Sequence, residues 1–252
     1  MTDETKAKED MMQTSVPAIR RLVAVCAHPD DESFGLGAVL AAFAAAGTEI
    51  ALLCFTRGEA STLGMEAKDL AAVRSRELAL ATAVFGVRDV TLLDYPDGGL
   101  ADIPLEALAA QVAQVTAGAD ALLVFDEGGI TGHADHMRAT AAACAVAERT
   151  GLPVYAWAIP SDVATRLNEE FGAAFVGRDA STLDICLHVD RESQMRAIAC
   201  HRSQSGDNPV LWRRLALMGD REYLRILSCR GDARSEKLTI PEGVPIHAHS
   251  AG

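Results

Sequence analysis

Short apolar runs alternate with longer segments of helical length along the first 160 residues of the chain. The runs are rich in valine, leucine and alanine, which is typical of strands buried on both faces of a parallel sheet. This alternation predicts an α/β protein with a Rossmann-like three-layer α/β/α fold and a mostly parallel sheet. The predicted strands are residues 21–27, 49–56, 89–95, 119–127 and 152–159, and the predicted helices are residues 33–47, 67–86, 104–118 and 135–151.

Beyond Ser161 the alternation weakens, and fewer elements are predicted there. Residues 181–190 favour a strand, residues 191–204 favour a helix, and residues 221–228 fit either. No internal repeat, low-complexity tract or linker divides the chain. We therefore expect three parts, which are a flexible leader over 1–19, a single domain over 20–231 and a C-terminal tail over 232–252.

Charge and hydropathy exclude several classes of partner. The 252 residues carry a formal net charge of −12, from 35 acidic and 23 basic side chains, which disfavours nucleic acid and anionic membranes. No apolar run approaches the roughly 20 residues that cross a bilayer. The polar N-terminus lacks the basic start and apolar centre of a signal peptide. We expect a cytoplasmic protein, and a homo-oligomer is compatible with the sequence.

The cysteines form no C-x-x-C pair, and several fall inside apolar segments. This pattern predicts buried free thiols in a reducing compartment rather than disulfides or a thiolate zinc site. The six cysteines are at positions 26, 54, 144, 186, 200 and 229.

The turn after the first predicted strand reads "HPDDE", from His28 to Glu32. A dinucleotide-binding protein would carry a glycine-rich G-x-G-x-x-G sequence here. Three acidic side chains would instead repel a phosphate from the start of the following helix. The sequence therefore argues against a dinucleotide, despite the predicted topology.

A second polar cluster, "GHADH", follows the fourth predicted strand and contains His133, Asp135 and His136. Ligands of open α/β sheets bind at the carboxyl ends of the strands, so both clusters should face one crevice, which is the expected active site. A catalytic zinc takes three His or Asp/Glu ligands and keeps a position for water. His28 and Asp31 with one histidine of the second cluster would complete such a set.

Each cluster also has a purely structural interpretation. Acidic residues at a helix start interact favourably with the helix dipole and can cap free N–H groups, so "DDES" alone is often a cap. "GHADH" alone could be a loop that leads into a helix. The joint presence of both clusters at the same edge of the sheet favours a metal site.

The sequence resembles the PIG-L / LmbE-like family of metal-dependent N-acetylglucosaminyl deacetylases. The resemblance rests on "AHPDDE" after the first strand and "GHxDH" after a later one, and it runs from about residue 21 to about residue 205. Further segments that fit are "TRGEAS" at 56–61, "RSRE" at 74–77, "YPDGGL" at 95–100 and "HRSQ" at 201–204.

The resemblance implies a zinc ion held by His28, Asp31 and His136. Zinc suits nitrogen and oxygen ligands, but Fe²⁺ or another divalent metal could load as well. It also implies hydrolysis of the N-acetyl group of an N-acetylglucosamine-type amino sugar or its conjugate. Two alternatives stay open, an amidase of a thiol-sugar conjugate or modified natural product that uses the same site, and a silent sugar-binding protein.

The resemblance also implies roles for three side chains beside the metal. Asp30 would be the general base on the metal-activated water. His133 would be the protonated group that stabilises the oxyanion. Asp135 would form a hydrogen bond with a histidine and fix its tautomer.

Arg57 and Asp97 are candidates for substrate binding, because each follows a predicted strand at the same edge of the sheet. Arg57 could bind a sugar hydroxyl or an anionic aglycone, or it could simply pair with Glu59 on the surface. Asp97 could bind sugar hydroxyls, or it could be a turn residue before two glycines.

Overall fold

The computed structural model describes residues 14–64 and 66–229. Within these ranges the chain forms eight strands and ten α-helices, with 3₁₀ turns at Leu100–Asp102 and Ala180–Thr182. The strands are β1 (Arg21–Cys26), β2 (Glu49–Thr56), β3 (Asp89–Tyr95), β4 (Ala121–Phe125), β5 (Val154–Pro160), β6 (Gly177–Arg178), β7 (Ile185–His188) and β8 (Arg221–Leu227). The helices are α1 (Asp31–Phe34), α2 (Gly37–Ala45), α3 (Leu70–Val84), α4 (Leu105–Val115), α5 (Gly129–Gly132), α6 (Ala134–Thr150), α7 (Ser161–Phe171), α8 (Glu192–Ile198), α9 (Arg202–Ser205) and α10 (Pro209–Met218).

The strands form one sheet in the order β3-β2-β1-β4-β5-β8-β7, with β6 paired to the end of β5. Strands β1 to β5 are parallel, and Val23 of β1 lies between Ala51 of β2 and Leu122 of β4. Strand β8 runs antiparallel to β5 and β7. The mostly parallel sheet confirms the predicted fold class.

Each face of the sheet is covered by helices, so the fold has three layers. Leu22 and Ala24 of β1 pack with apolar residues of α2 and α3 on one face. Val23 and Val25 pack with those of α4 and α6 on the other face. Each fully buried valine or leucine contributes roughly 1.5–3 kcal/mol, so alternate residues of β1 stabilise both layers.

The order of strands also creates the crevice for the site. The chain leaves β1 toward β2 on one side, whereas β4 lies on its other side. The turns that follow β1 and β4 therefore diverge and leave a gap above the sheet, as at the switch point of other open α/β sheets.

Helices α7 and α10 were not predicted, and both lie beyond Ser161. Helix α10 has an Asn208 cap whose side chain accepts a hydrogen bond from the Leu211 N–H, and Pro209 occupies its first turn. Helix α7 ends at Gly172, which has a φ of 63° that favours glycine. These end signals are present in the sequence, but the predicted alternation of strands and helices had already stopped there.

Two cysteines depart from the prediction of free thiols. Cys144 on α6 and Cys229 after β8 form a disulfide, with Cα atoms 5.1 Å apart. The pairing joins parts of the chain 85 residues apart, and no local spacing announces it. Cys26, Cys54 and Cys186 are buried and free, and Cys200 is free as well.

No helix within 14–64 and 66–229 is long and apolar enough to span a membrane. The division into a leader, one domain and a tail stays a prediction. Most of the predicted leader (residues 1–13) and the whole predicted tail (232–252) lie outside the described residues.

Candidate active site

The turn after β1 places Asp31 at the carboxyl end of the strand. Its Oδ2 accepts hydrogen bonds of 2.9 Å from the backbone N–H groups of Ala27 and His28. This fixes the carboxylate and leaves Oδ1 directed at His136, whose Nε2 lies 3.1 Å away. The preceding Asp30 has a φ of 119°, a strained value for a residue with a side chain, and such strain is typical of functional sites.

The second cluster lies at the start of α6. His136 Nδ1 lies 3.1 Å from the Gly129 carbonyl, so that nitrogen donates a hydrogen bond and Nε2 keeps its lone pair. Gly129 and Ile130 both have a positive φ, near 66° and 65°. This distorted turn is unusual for a β-branched residue, and it aims the Gly129 carbonyl at the histidine.

His28 Nδ1 lies 3.2 Å from His136 Nε2, with the two imidazole rings inclined by 60°. The other nitrogen of His28, Nε2, lies 3.1 Å from Asp97 Oδ1 and 3.2 Å from Asp135 Oδ2. Because Nε2 donates its hydrogen to these carboxylates, Nδ1 is the nitrogen of His28 that faces His136. The structure thus brings together His28, Asp31 and His136, the three predicted ligands.

This set of donor atoms fits a divalent metal. Two nitrogens at 2.0–2.1 Å from a tetrahedral zinc are about 3.3 Å apart, close to the separation of the two rings. Three buried carboxylates, Asp31, Asp97 and Asp135, surround the two histidines. Burial by itself lowers the pKa of His28, but the hydrogen bonds that it donates to Asp135 and Asp97 outweigh burial and raise that pKa to about 10. The position between the rings therefore favours positive charge.

Asp30 contacts Arg74, which the sequence analysis did not select. Arg74 Nη2 donates to Asp30 Oδ2 at 2.8 Å, and Nη1 donates to the Gly58 carbonyl at 2.7 Å. Burial raises the pKa of Asp30 to about 6, and the charge of Arg74 opposes part of this shift. The carboxyl is therefore poised to exchange a proton near neutral pH.

Glu32 connects the same turn to a distant part of the chain. Its Oε2 accepts the Asp30 N–H at 2.9 Å, and its Oε1 lies 2.6 Å from His201 Nε2. Both side chains are fully buried. Burial lowers the pKa of His201, but the adjacent Glu32 carboxylate outweighs this and raises it. Glu32 therefore holds the strained backbone of Asp30.

His133 lies beside the ligands, with its ring centroid 4.8 Å from those of both His28 and His136. Its Nδ1 accepts the Asp135 N–H at 3.2 Å, so the ring carries its proton on Nε2. Burial and the neighbouring histidines lower its pKa to about 4. The hydrogen bond to Nδ1 and the lowered pKa favour a neutral donor at His133, where the resemblance implied a protonated one.

Asp97 and Asp135 both orient His28. Asp97 Oδ2 also accepts the Ala60 N–H at 2.8 Å, and the Asp97 side chain is only 8% exposed. Asp135 is fully buried and also accepts from the N–H groups of Gly98 and Leu100. Asp97, predicted as a substrate ligand, therefore has both oxygens engaged by protein groups.

Arg57 is exposed, and it is not among the described residues that line the cavity. The structure therefore does not bring this predicted substrate residue to the cavity wall. Gln204 does reach the wall, where its Oε1 accepts the Ser61 hydroxyl at 2.7 Å. The contact ties the loop after β2 to the segment after α8.

The ligands lie in the wall of a cavity of about 530 Å³ that also extends away from them. Near the ligands its surface is polar and includes Asp30 and His133. Its other part is largely apolar. The side chains that line this second part include Phe34, Leu63, Phe171, Phe175, Val210 and Leu211.

Comparison with known proteins finds a family model and several relatives that match this chain. The family model of PIG-L, GlcNAc-PI de-N-acetylase, matches residues 23–147. The chain is 33% identical over 181 residues to 1D-myo-inositol 2-acetamido-2-deoxy-alpha-D-glucopyranoside deacetylase of Kineococcus radiotolerans, covering 58% of this chain and 50% of that protein. It is 26% identical over 227 residues to N-acetylglucosaminyl-phosphatidylinositol de-N-acetylase of Bos taurus, covering 82% of each.

A solved structure shares the fold. N,N'-diacetylchitobiose deacetylase from Pyrococcus horikoshii superposes with a TM-score of 0.61 at 18% identity, over 91% of this chain and 94% of that one. The chain spans about half to three fifths of the length of the first bacterial relatives that it matches. Both polar clusters lie inside the segment that matches the family model. Residues 23–147 therefore match a PIG-L family domain.

Proposed function

We propose that the protein is a zinc-dependent hydrolase that removes the N-acetyl group from an N-acetylglucosamine-type amino sugar or its conjugate. The observation that carries the proposal is the convergence of His28 and Asp31 on His136, whose Nε2 lies 3.2 Å from His28 Nδ1 and 3.1 Å from Asp31 Oδ1. Asp30 and His133 line the same cavity. The names of the two relatives, both deacetylases of N-acetylglucosamine conjugates, support the choice of substrate.

His28 Nδ1, Asp31 Oδ1 and His136 Nε2 are the atoms that would hold the metal. A bound zinc ion supplies a Lewis acid that acidifies water and polarises a carbonyl oxygen. Asp97 and Asp135 keep the ring of His28 in the orientation that ligation requires, and the Gly129 carbonyl does the same for His136.

Asp30 would accept a proton from the water as the water oxygen attacks the acetyl carbonyl carbon. Its raised pKa suits a base that must later release that proton. The proton then passes to the sugar nitrogen as the carbon–nitrogen bond breaks, which releases acetate and an amine. Arg74 and Glu32 hold the carboxyl and its backbone in place.

His133 would donate its Nε2–H to the acetyl oxygen as negative charge develops there. A neutral donor is sufficient, because a preorganised hydrogen bond in a water-poor site stabilises an oxyanion strongly. Loss of one such donor typically costs about 10² to 10³ in kcat.

The alternative of an amidase for a thiol-sugar conjugate uses the same side chains and differs only in the acyl group. The third interpretation, a silent sugar-binding protein, needs none of the five groups that surround the metal position. Their joint convergence favours an enzyme. These groups are His28, Asp30, Asp31, His133 and His136.

The first test is acetate release by the zinc-loaded protein from N-acetylglucosamine, its inositol glycoside and chitobiose. We expect release that disappears in Asp30→Asn. Asp94→Asn is the matched control, because Asp94 is an exposed carboxylate on β3. Stoichiometric zinc without acetate from any substrate would contradict deacetylation. Equal turnover by Asp30→Asn would remove Asp30 as the base.

A further inference from the structure

Arg214 on α10 is a buried cation without an acidic partner among the described residues. The residue is only 6% exposed. One of its nitrogens, Nη2, donates to the Phe34 carbonyl, and no carboxylate of residues 14–64 and 66–229 lies within ion-pair distance of it. The other buried arginine, Arg74, is paired with Asp30, and the half-buried Arg191 is paired with Glu222. An unpaired buried charge is costly, so the exception requires a reason.

Glu222 is the acidic group that most affects Arg214, but its oxygens are engaged elsewhere. Glu222 Oε2 accepts the Trp157 Nε1–H at 2.6 Å, and Oε1 pairs with Arg191 at 2.5 Å. Burial lowers the pKa of Arg214 to about 10, and Glu222 opposes this shift only at longer range. The guanidinium therefore stays charged at neutral pH, and no described carboxylate pairs with its remaining N–H groups.

Arg214 lies in the wall of the cavity that holds the metal ligands, but away from them. Its guanidinium carbon lies 4.8 Å from the centre of the Trp157 ring. Trp157 contacts Phe125 at 5.2 Å between ring centres, and Phe125 contacts His136 at 4.7 Å. Two aromatic rings thus separate Arg214 from the metal position. With the acetyl carbonyl at the metal position, a group that reaches Arg214 would belong to the aglycone rather than to the acetyl group.

Within the described ranges, a few buried side-chain nitrogens have neither a hydrogen-bond partner nor contact with solvent, and no nitrogen of Arg214 is one of them. The nitrogens that make no hydrogen bond are therefore accessible from the cavity. The nearby wall is apolar, with Leu211 on the same helix and Phe171 and Phe175 opposite. A weakly polar surrounding strengthens the attraction between a guanidinium and an anion.

We propose that Arg214 binds an anionic group, a carboxylate or a phosphate, on the aglycone of the substrate. The inference rests on the proposed deacetylase function and adds a substrate class to it. That class is N-acetylglucosaminides whose aglycone has an apolar part followed by an anionic end.

The test compares three ligands on the zinc-loaded protein, phenyl N-acetyl-β-glucosaminide and its 4-carboxyl and 4-phosphate derivatives. Calorimetry gives the Kd of each without requiring turnover. We expect at least one anionic ligand to bind the wild type about 10- to 100-fold more tightly than the neutral ligand, as for other hydrogen bonds to charged groups. The anionic ligand with the larger gain in affinity shows whether the site prefers a carboxylate or a phosphate. Equal Kd values for all three ligands in the wild type would overturn the proposal.

The variant Arg214→Met should lose this preference while its Kd for the neutral ligand stays within about twofold. Arg213→Met is the matched control, because Arg213 is the next residue, is partly exposed and pairs with Glu170. If Arg214→Met does not fold, Arg214→Lys keeps the charge but not the forked geometry, and it should reduce the preference. A uniform loss of affinity for all three ligands would indicate a structural role and overturn the proposal.

Acetate release from the same ligands separates this inference from the proposed function. An anion preference that depends on Arg214, without acetate release, would contradict deacetylation and leave the binding site intact. Equal acetate release from all three ligands, with no difference in their Kd values, would support deacetylation and contradict the anion-binding role of Arg214. In the supported case, the anionic ligand has the higher kcat/KM, and Arg214→Met removes that advantage.

Discussion

Arg74 donates a 2.8 Å hydrogen bond to Asp30 and so joins α3 to the turn that follows β1. The same guanidinium packs against Gly58, where any side chain would collide with it. A positive φ of 66° also favours glycine at that position. Arg74 therefore holds the carboxylate that we propose as the base.

Replacing Arg74 by methionine should lower kcat for acetate release by about 10²-fold, because general-base catalysis of this kind contributes 10²–10⁴. The bound zinc should stay at the wild-type level, since none of the three ligands contacts Arg74. Steady-state kinetics and atomic emission measure the two quantities. Arg76→Met is the control, because Arg76 is exposed on the same helix. A loss of zinc in Arg74→Met would contradict a role limited to Asp30.

The strands and helices were predictable where the local sequence pattern alone was enough to define them. Strands β2 and β3 have the predicted bounds, because each is an apolar run flanked by polar or turn residues. The single predicted helix over 33–47 is instead two helices. Gly35 separates them where Phe125 and Trp157 approach its backbone, so a side chain there would collide with Phe125. Such a contact depends on β4 and β5 and is not visible in the local sequence.

The proximity of the three proposed ligands was also predictable, since strand ends and short His/Asp spacings are local signals. The supporting contacts were not. Glu32 meets His201 across 169 residues, and Arg74 meets Asp30 across 44. Asp97 looked like a turn or sugar-binding residue because its neighbours are Pro-Asp-Gly. Only the tertiary structure places its carboxylate on His28.

His136→Ala should empty the metal site. The imidazole supplies one of three ligands, and its removal also leaves Asp31 without the partner that lowers its pKa. Zinc per protein, measured by atomic emission after dialysis, should fall from near one to near zero. His188→Ala is the control, because His188 is exposed at the end of β7. Unchanged zinc in His136→Ala would overturn this ligand assignment.

Asp97→Asn distinguishes the two interpretations of Asp97. If its carboxylate orients His28, the zinc affinity should fall about 10- to 100-fold, as for other groups that orient a metal ligand. Competition with a chelator measures this affinity. A raised KM with unchanged zinc affinity would instead support the substrate-binding role predicted from the sequence. Asp102→Asn, in the 3₁₀ turn that follows, is the matched control.

Asp126, at the end of β4, stabilises the loop that carries Gly129 and His133. It is buried and accepts hydrogen bonds from Arg178 and Arg225, the latter at 2.7 Å. Burial raises its pKa, but the two arginines outweigh burial and the pKa is lowered. A carboxyl with a lowered folded-state pKa contributes stability above its unfolded value of about 4, and that stability is lost as the pH falls through the folded value.

Asp126→Asn should therefore reduce the free energy of unfolding at pH 7 by roughly 3 kcal/mol, since it leaves two partly buried guanidinium groups with only the exposed Glu127 as an anionic neighbour. The difference from the wild type should shrink as the pH falls below about 4, because protonated Asp126 then resembles the variant. Urea unfolding at pH 7 and pH 3 measures both values. Glu127→Gln, at an exposed side chain beside the same arginines, should change the free energy by less than about 1 kcal/mol. A destabilisation by Asp126→Asn that is equal at both pH values would show that shape, rather than charge, holds this loop.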